Sequence, residues 1–117
     1  KDFVVYPKHG VGQITEYKIK PEDVGIESRS LIGLTVDSAE QSYQLIKDAL
    51  GKRETEAGNK AADIIALNAG AAIYAANIAS SLAQGVEMAQ DAIYSGLALG
   101  KLSELVTFTR YLAEDQA

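Results

Sequence analysis

Apolar and polar positions alternate over the first twenty residues and then change period. Phe3-Val4-Val5-Tyr6 reads as a short strand, Pro7-Lys8-His9-Gly10 as a turn, and Ile14-Thr15-Glu16-Tyr17-Lys18-Ile19 as a half-exposed strand. On that second strand Thr15, Tyr17 and Ile19 share one face, opposite Ile14, Glu16 and Lys18. The pattern predicts a β-hairpin over residues 1–20. Pro21-Glu22-Asp23-Val24-Gly25 interrupts it, with Pro and acidic residues suited to starting a single helical turn and Gly to ending it. Residues 21–37 are therefore a connector, and its apolar run Leu31-Ile32-Gly33-Leu34-Thr35-Val36 is expected to be extended or irregular.

From Ser38 onward the period is helical. Ser38 with Gln41 fits a capping box, opening a helix to about Leu50, with Gly51 as its left-handed C′ residue. A polar loop over residues 51–55 leads to a second helix, from about Glu56 to Ile78, stopped by Ser80-Ser81. Ser81 with Gln84 repeats the capping box for a third helix through Tyr94, closed by Ser95-Gly96. The fourth runs from Leu97 to about Glu114, with an apolar stripe of Leu99, Leu102, Leu105, Val106, Thr109 and Leu112. The expected fold class is α+β: an N-terminal β-hairpin or strands (1–20), a connector (21–37), then a helical region of about four helices (38–117).

A chain of 117 residues has room for about one hydrophobic core, which excludes most two-lobed enzymes. The absence of Cys removes disulfides, thiol nucleophiles and thiolate metal sites, and a single His removes a multi-histidine site. Eleven basic against 16 acidic residues give a net charge of −5, the wrong sign for a phosphate backbone, so nucleic acid is not an expected partner. Of the 47% apolar content, 18 residues are Ala, and bulky core material is thinner than the percentage suggests. Residues 1–7 have no apolar h-region, which makes the cytoplasm the expected location. Residues 61–79 have about the length needed to cross a bilayer. Asp63, Asn68, Asn77 and many Ala dilute their hydrophobicity, so a buried helix is expected and no membrane.

Candidate chemistry is sparse. His9 could serve as a general base, but no nucleophile or ordered acid accompanies it, and a loop His is the expected role. His9-Gly10-Val11-Gly12 has two glycines in a turn with no helix start behind them, as in a plain hairpin turn. Asp63 and Asn68 are separated by about 140° around a helix and form no ligand pair. Asn68 is expected to bond a neighbouring backbone group. Glu22, Asp23, Glu54 and Glu56 stand beside helix starts, where carboxylates complement the dipole. Tyr74 and Tyr94 are expected to be core or interface aromatics.

The ordered runs Leu67-Asn68-Ala69-Gly70-Ala71-Ala72-Ile73-Tyr74, Ser81 to Ala89, and Ser95-Gly96-Leu97-Ala98 resemble the C-terminal helices of the anthranilate phosphoribosyltransferase family. Glu16 to Gly25 resembles that family's EY-x-L-x-PEDFG segment, with Val24 in place of Phe, so the likeness covers about residues 13–113. Residues 3–12 alternatively resemble the opening strands of CarD-type RNA polymerase-binding domains, through Val4-Val5-Tyr6-Pro7 and His9-Gly10-Val11-Gly12. The first resemblance implies an α/β parent: a cytoplasmic, magnesium-dependent homodimer of tryptophan biosynthesis that moves a phosphoribosyl group from phosphoribosyl pyrophosphate to anthranilate. The family's Gly-rich pyrophosphate loop lies upstream of the matched region. Where the family carries an acidic pair for magnesium, this chain reads Val11-Gly12-Gln13-Ile14.

The chain is thus expected to be the C-terminal portion of such a transferase, inactive alone, with no catalytic, substrate-binding or metal-binding residue and no cofactor of its own. The alternative is a non-enzymatic chimeric or interaction module whose N-terminal hairpin binds a protein such as RNA polymerase. Either way the second helix lacks the sheet that would cover it in the family, and self-association through residues 64–78 is expected.

Overall fold

The computed structural model describes residues 2–5 and 15–116, with side chains from residue 18 onward. A 3-10 turn, Pro21–Val24, is followed by four helices: α1 Ala39–Leu50, α2 Glu56–Ala75, α3 Leu82–Tyr94 and α4 Leu97–Asp115. Each of the first three starts on a hydroxyl cap. Ser38 Oγ accepts from Gln41 N–H at 3.1 Å, Thr55 Oγ1 from Gly58 N–H at 2.9 Å, and Ser81 Oγ from Gln84 N–H at 3.1 Å. The glutamines of the two expected capping boxes reach one residue further back than that motif requires. Gln41 Oε1 accepts from Asp37 N–H at 2.9 Å, and Gln84 Oε1 from the Ser80 N–H and hydroxyl. The glutamines thus satisfy the N–H of the residue before the N-cap, in a slightly wider loop than the capping box.

Two helix ends differ from expectation. Helix α2 stops at Ala75 because Asn77 takes the left-handed conformation (φ 62°). Asn77 N–H then donates to Tyr74 O and Ile78 N–H to Ile73 O, the paired bonds of a Schellman ending. Asn tolerates that conformation because its side chain is short and polar, so the helix closes before the serines are reached. After α1, Gly51 is not left-handed (φ −102°, ψ −117°); Arg53 is, at φ 53°. A Cβ on Gly51 would lie 2.7 Å from Lys47 O, so Gly is required there for close approach.

The packed body is all-α. Ala66 of α2 packs with Ala89 and Ile93 of α3, and the partly buried Leu50, Ile65, Ala69, Ile73 and Ala98 close around them. Buried positions in α2 recur every four residues (Gly58, Ala62, Ala66, Gly70), a ridge of small residues that lets the two helices approach closely. A Cβ on Gly70 would stand 2.5 Å from Val86 N and Cα, and one on Gly85 would collide with Gly70 O. The α+β class expected from the sequence is overturned by this arrangement. Asp2–Val5 and Thr15–Lys18 pair antiparallel, Phe3 opposite Tyr17, and the buried cluster among the described residues is built by helices. Two strands by themselves bury too little to found a fold, whereas four helices supply their own backbone pairing and pack side by side.

Helix α4 is the least covered element. It meets α3 and α1; Ala98, Leu99, Leu102 and Val106 are half-buried, and none of its residues is fully buried. Leu105, Thr109 and Leu112 of the expected stripe are exposed.

Gly70→Ala should cost about 1–3 kcal/mol by overpacking against the α3 backbone. Gly100→Ala, inside α4 with open space around it, should instead stabilise by about 0.5–1 kcal/mol through lower backbone entropy in the unfolded chain. Urea unfolding of both variants checks the contrast; equal effects would contradict the close approach at Gly70.

Candidate functional site

Two constellations stand out, and both join elements that the sequence leaves far apart. The first begins at the 3-10 turn, where Lys20 N–H donates to Asp23 Oδ2 at 3.0 Å and the left-handed Gly25 (φ 77°) redirects the chain. Ile26 is thereby buried, its N–H donating to Pro21 O at 2.9 Å. The connector then crosses the start of α2, where the Lys60 ammonium donates to Ile32 O at 2.9 Å. Lys60 is only 9% exposed, and Glu56 stands 3.7 Å from its Nζ, one helical turn earlier. A buried ammonium needs partners of this kind to offset its lost hydration.

Between connector and helix lies a cleft of about 110 Å³, walled by Pro21, Ile26, Leu31 and Leu34 on one side and by Ile64 and Leu67 on the other. Its charged groups are Lys60, Asp63, Glu27 and Arg29, the last two paired at 3.5 Å.

The second constellation holds the α1–α2 loop. Both oxygens of Asp48 accept: Oδ1 from Glu54 N–H at 2.8 Å, and Oδ2 from the Thr55 hydroxyl at 2.6 Å and Thr55 N–H at 3.1 Å. The Thr55 hydroxyl, and after it the Glu54 N–H, hold the Asp48 carboxyl below its ordinary value of 3.8. A Cβ on Gly58 would collide with this carboxylate, so the first turn of α2 must be bare there. Arg53, left-handed in the middle of the loop, places its guanidinium 4.8 Å from the Tyr94 ring centroid and so ties the loop to the end of α3.

The residues singled out from sequence are scattered. His9 and the Gly10–Gly12 turn lie outside the described residues, as does the segment Val11-Gly12-Gln13-Ile14. Asn68 donates to Ile64 O at 2.9 Å, the local backbone bond expected of it, while Asp63 lines the cleft. Asp23 caps its own turn and Glu56 faces Lys60. Tyr74 and Tyr94 are exposed rather than in the core. Among the described residues no three His, Asp or Glu side chains gather as metal ligands. Asp48 and Lys60 carry the longest-reaching polar contacts, and sequence reasoning passed over both. The available signal was an Asp in the last turn of a helix, where the dipole disfavours it; such a residue needs donors from elsewhere.

The arrangement binds chain to chain. Lys60 and Asp48 are already engaged, and the open cleft is mainly apolar. Among the described residues no helix is long and apolar enough to cross a membrane.

The family model described as "Glycosyl transferase family, a/b domain" matches residues 3–99, and the chain belongs to that family. The match includes the segment that also resembles CarD-type domains. An anthranilate phosphoribosyltransferase from Ectopseudomonas mendocina is 61% identical over 104 residues, which is 89% of this chain and 30% of that protein. One from Cellvibrio japonicus is 62% identical over 101 residues, 86% of this chain and 29% of that protein. The chain therefore spans about 30% of the length of the curated relatives it matches.

Because Asp48 is held below its ordinary 3.8, its contribution to stability is fully present above that value and is lost as pH falls through the lower folded value. The unfolding temperature of wild type should therefore fall with acid, and Asp48→Asn should reduce that dependence. Thr55→Ala should cost about 1 kcal/mol at neutral pH through the lost cap. An unchanged acid slope in Asp48→Asn would contradict the clamp.

Proposed function

We propose that this chain is the C-terminal portion of an anthranilate phosphoribosyltransferase, supplying closing helices of its α/β domain, and that it transfers no phosphoribosyl group by itself. Identity of 61% sustained over 104 residues of a relative of that name carries the reading. A place in tryptophan biosynthesis and a cytoplasmic location follow from the same assignment. Nothing favours the alternative of an RNA polymerase-binding module, since the family match begins at residue 3.

Inactivity follows from the chemistry of the described side chains. Capturing a pyrophosphate group takes free backbone amides or cations. In the cleft Lys60, the buried cation, already donates to Ile32 O and faces Glu56. Magnesium, which the whole enzyme would use in this reading, does not fit Asp48 or Glu56. Both Asp48 oxygens are taken by N–H and O–H donors, and Glu56 faces an ammonium. In this reading the chain's part is architectural: Lys60 locks the connector across α2, and Asp48 fixes α2 against α1.

In the isolated chain the outward side of α2 stays uncovered. We infer that residues 64–78 bury it against a second copy. Ala66 and Gly70 already lie against α3, so Ile64, Leu67, Tyr74 and Ile78 would carry the contact.

Mixed with a relative's polypeptide truncated to the part this chain does not match, the chain should restore phosphoribosyl transfer to anthranilate, while either piece alone shows none. Turnover by the chain alone, or no recovery with a folded complement, would count against the assignment. Sedimentation at tens of micromolar checks the second proposal: Ile64→Arg with Tyr74→Arg should lower the average mass, and a wild-type chain already monomeric would refute it.

A further inference from the structure

The connector is held to the helices unevenly. Ile26 is buried and Leu34 half-buried, and both line the cleft against α2. Between these two anchors every residue from Glu27 to Gly33 is exposed, Leu31 at 69% and Ile32 at 81%. The bonds made inside this stretch are local: Arg29 to Glu27, Ile32 N–H to Ser30 Oγ at 3.1 Å, and Leu34 N–H to Leu31 O at 3.2 Å. Among the described residues, its one hydrogen bond to a helix is the bond that the Lys60 ammonium donates to Ile32 O, at 2.9 Å.

The local chain leaves that carbonyl in need of an outside donor. Leu31 to Leu34 is a β-turn closed by the Leu34 N–H bond, and Gly33 has the positive φ (91°) that the third residue of a type II turn requires. Such a turn pairs its first carbonyl and leaves that of its central peptide, here Ile32 O, without a partner inside the turn. Lys60 supplies the donor. Its ammonium also has Glu56 Oε1 at 3.7 Å, so it stays paired when Ile32 O turns to water.

We propose that residues 27–33 form a strap that opens as a unit while the helices stay folded, with the Lys60–Ile32 contact as its latch. Ordering these residues costs conformational entropy. Against that cost stand one charge-assisted hydrogen bond and the contact of Leu31 with the cleft. A segment with so little buried surface opens at lower free energy than a packed core such as that of Ala66, Ala89 and Ile93. When the strap lifts, Leu31 leaves the cleft and the Ile64–Leu67 wall of α2 becomes accessible. Lys60 therefore governs access to this apolar space. The device lies wholly within residues 26–67, and it holds whether or not the chain is part of a transferase.

Trypsin reads the opening, because cleavage needs several residues of unpinned chain around the cut bond, and Arg29 lies within the strap. Lys52 and Arg53, in the α1–α2 loop, provide the internal control. Lys60→Met keeps the length of the side chain and removes the donor. It should speed cleavage after Arg29 about tenfold, as expected for the loss of a charged hydrogen bond, and leave cleavage after Lys52 and Arg53 unchanged. Gly33→Ala, whose added methyl meets no neighbour but must take a left-handed φ, should speed it several-fold with Lys60 in place. Circular dichroism establishes that the helices persist, and Gly33→Ala carries the test if Lys60→Met unfolds. An equal rise at both loops would overturn the proposal, by making the strap part of the global fold. An unchanged Arg29 rate in the folded variants would overturn it too, by showing that the latch holds nothing.

Discussion

The close approach of α2 and α3 at Gly70 and Gly85 is the constraint on which the other contacts rest. Each glycine occupies the place where a Cβ would strike the other helix's backbone, so the helices meet nearly backbone to backbone. Val86 can then bury completely, and Ala62, Ala66, Ala89 and Ile93 fill the remaining space. Small residues give little transfer free energy apiece. They compensate by letting many atoms come within dispersion range at once. The Ala-rich composition, which reads as a weak core on a residue count, is what a helix pair this close requires.

Polar contacts then fix what packing leaves free. Asp48 gathers the donors of Thr55 and Glu54, so the loop between α1 and α2 is held by one carboxylate rather than by apolar burial. Gly58 keeps the first turn of α2 bare to admit that carboxylate. At the other side of α2, Lys60 reaches 28 residues back along the chain to Ile32 O. Both residues work by satisfying groups that the local chain cannot satisfy itself. That economy also explains the absence of free chemistry around them: a charge that holds the fold is not available to a substrate.

Membership of the glycosyl transferase family and the exposed apolar faces of α2 and α4 bear on one another. The chain covers about 30% of its relatives' length, and it leaves large apolar side chains exposed. Leu31 and Ile32 in the connector, Ile64 and Tyr74 on α2, and Phe108 and Tyr111 on α4 are all exposed. Scattered apolar residues are normal on any surface, but a stripe along one helix is not.

Much of the helical architecture was legible locally. Ser38 and Ser81 each precede their helix at the spacing at which a hydroxyl reaches an N–H three residues on, and Ser95-Gly96 ends α3 with a left-handed glycine. Hydrogen bonds of this range depend on adjacent residues alone, so the sequence determined them. It also determined the 3-10 turn at Pro21–Val24, where Pro fixes φ and Gly25 supplies the reversal. The early stop of α2 at Asn77 and the shift of the left-handed residue from Gly51 to Arg53 were less visible, because competing turn residues stand close together there. Only the tertiary structure decided that the body is all-α, that Asp48 and Lys60 are its polar anchors, and that α4 turns an apolar face outward. Those outcomes depend on which surfaces meet across tens of residues, and neither residue spacing nor propensity encodes that distance.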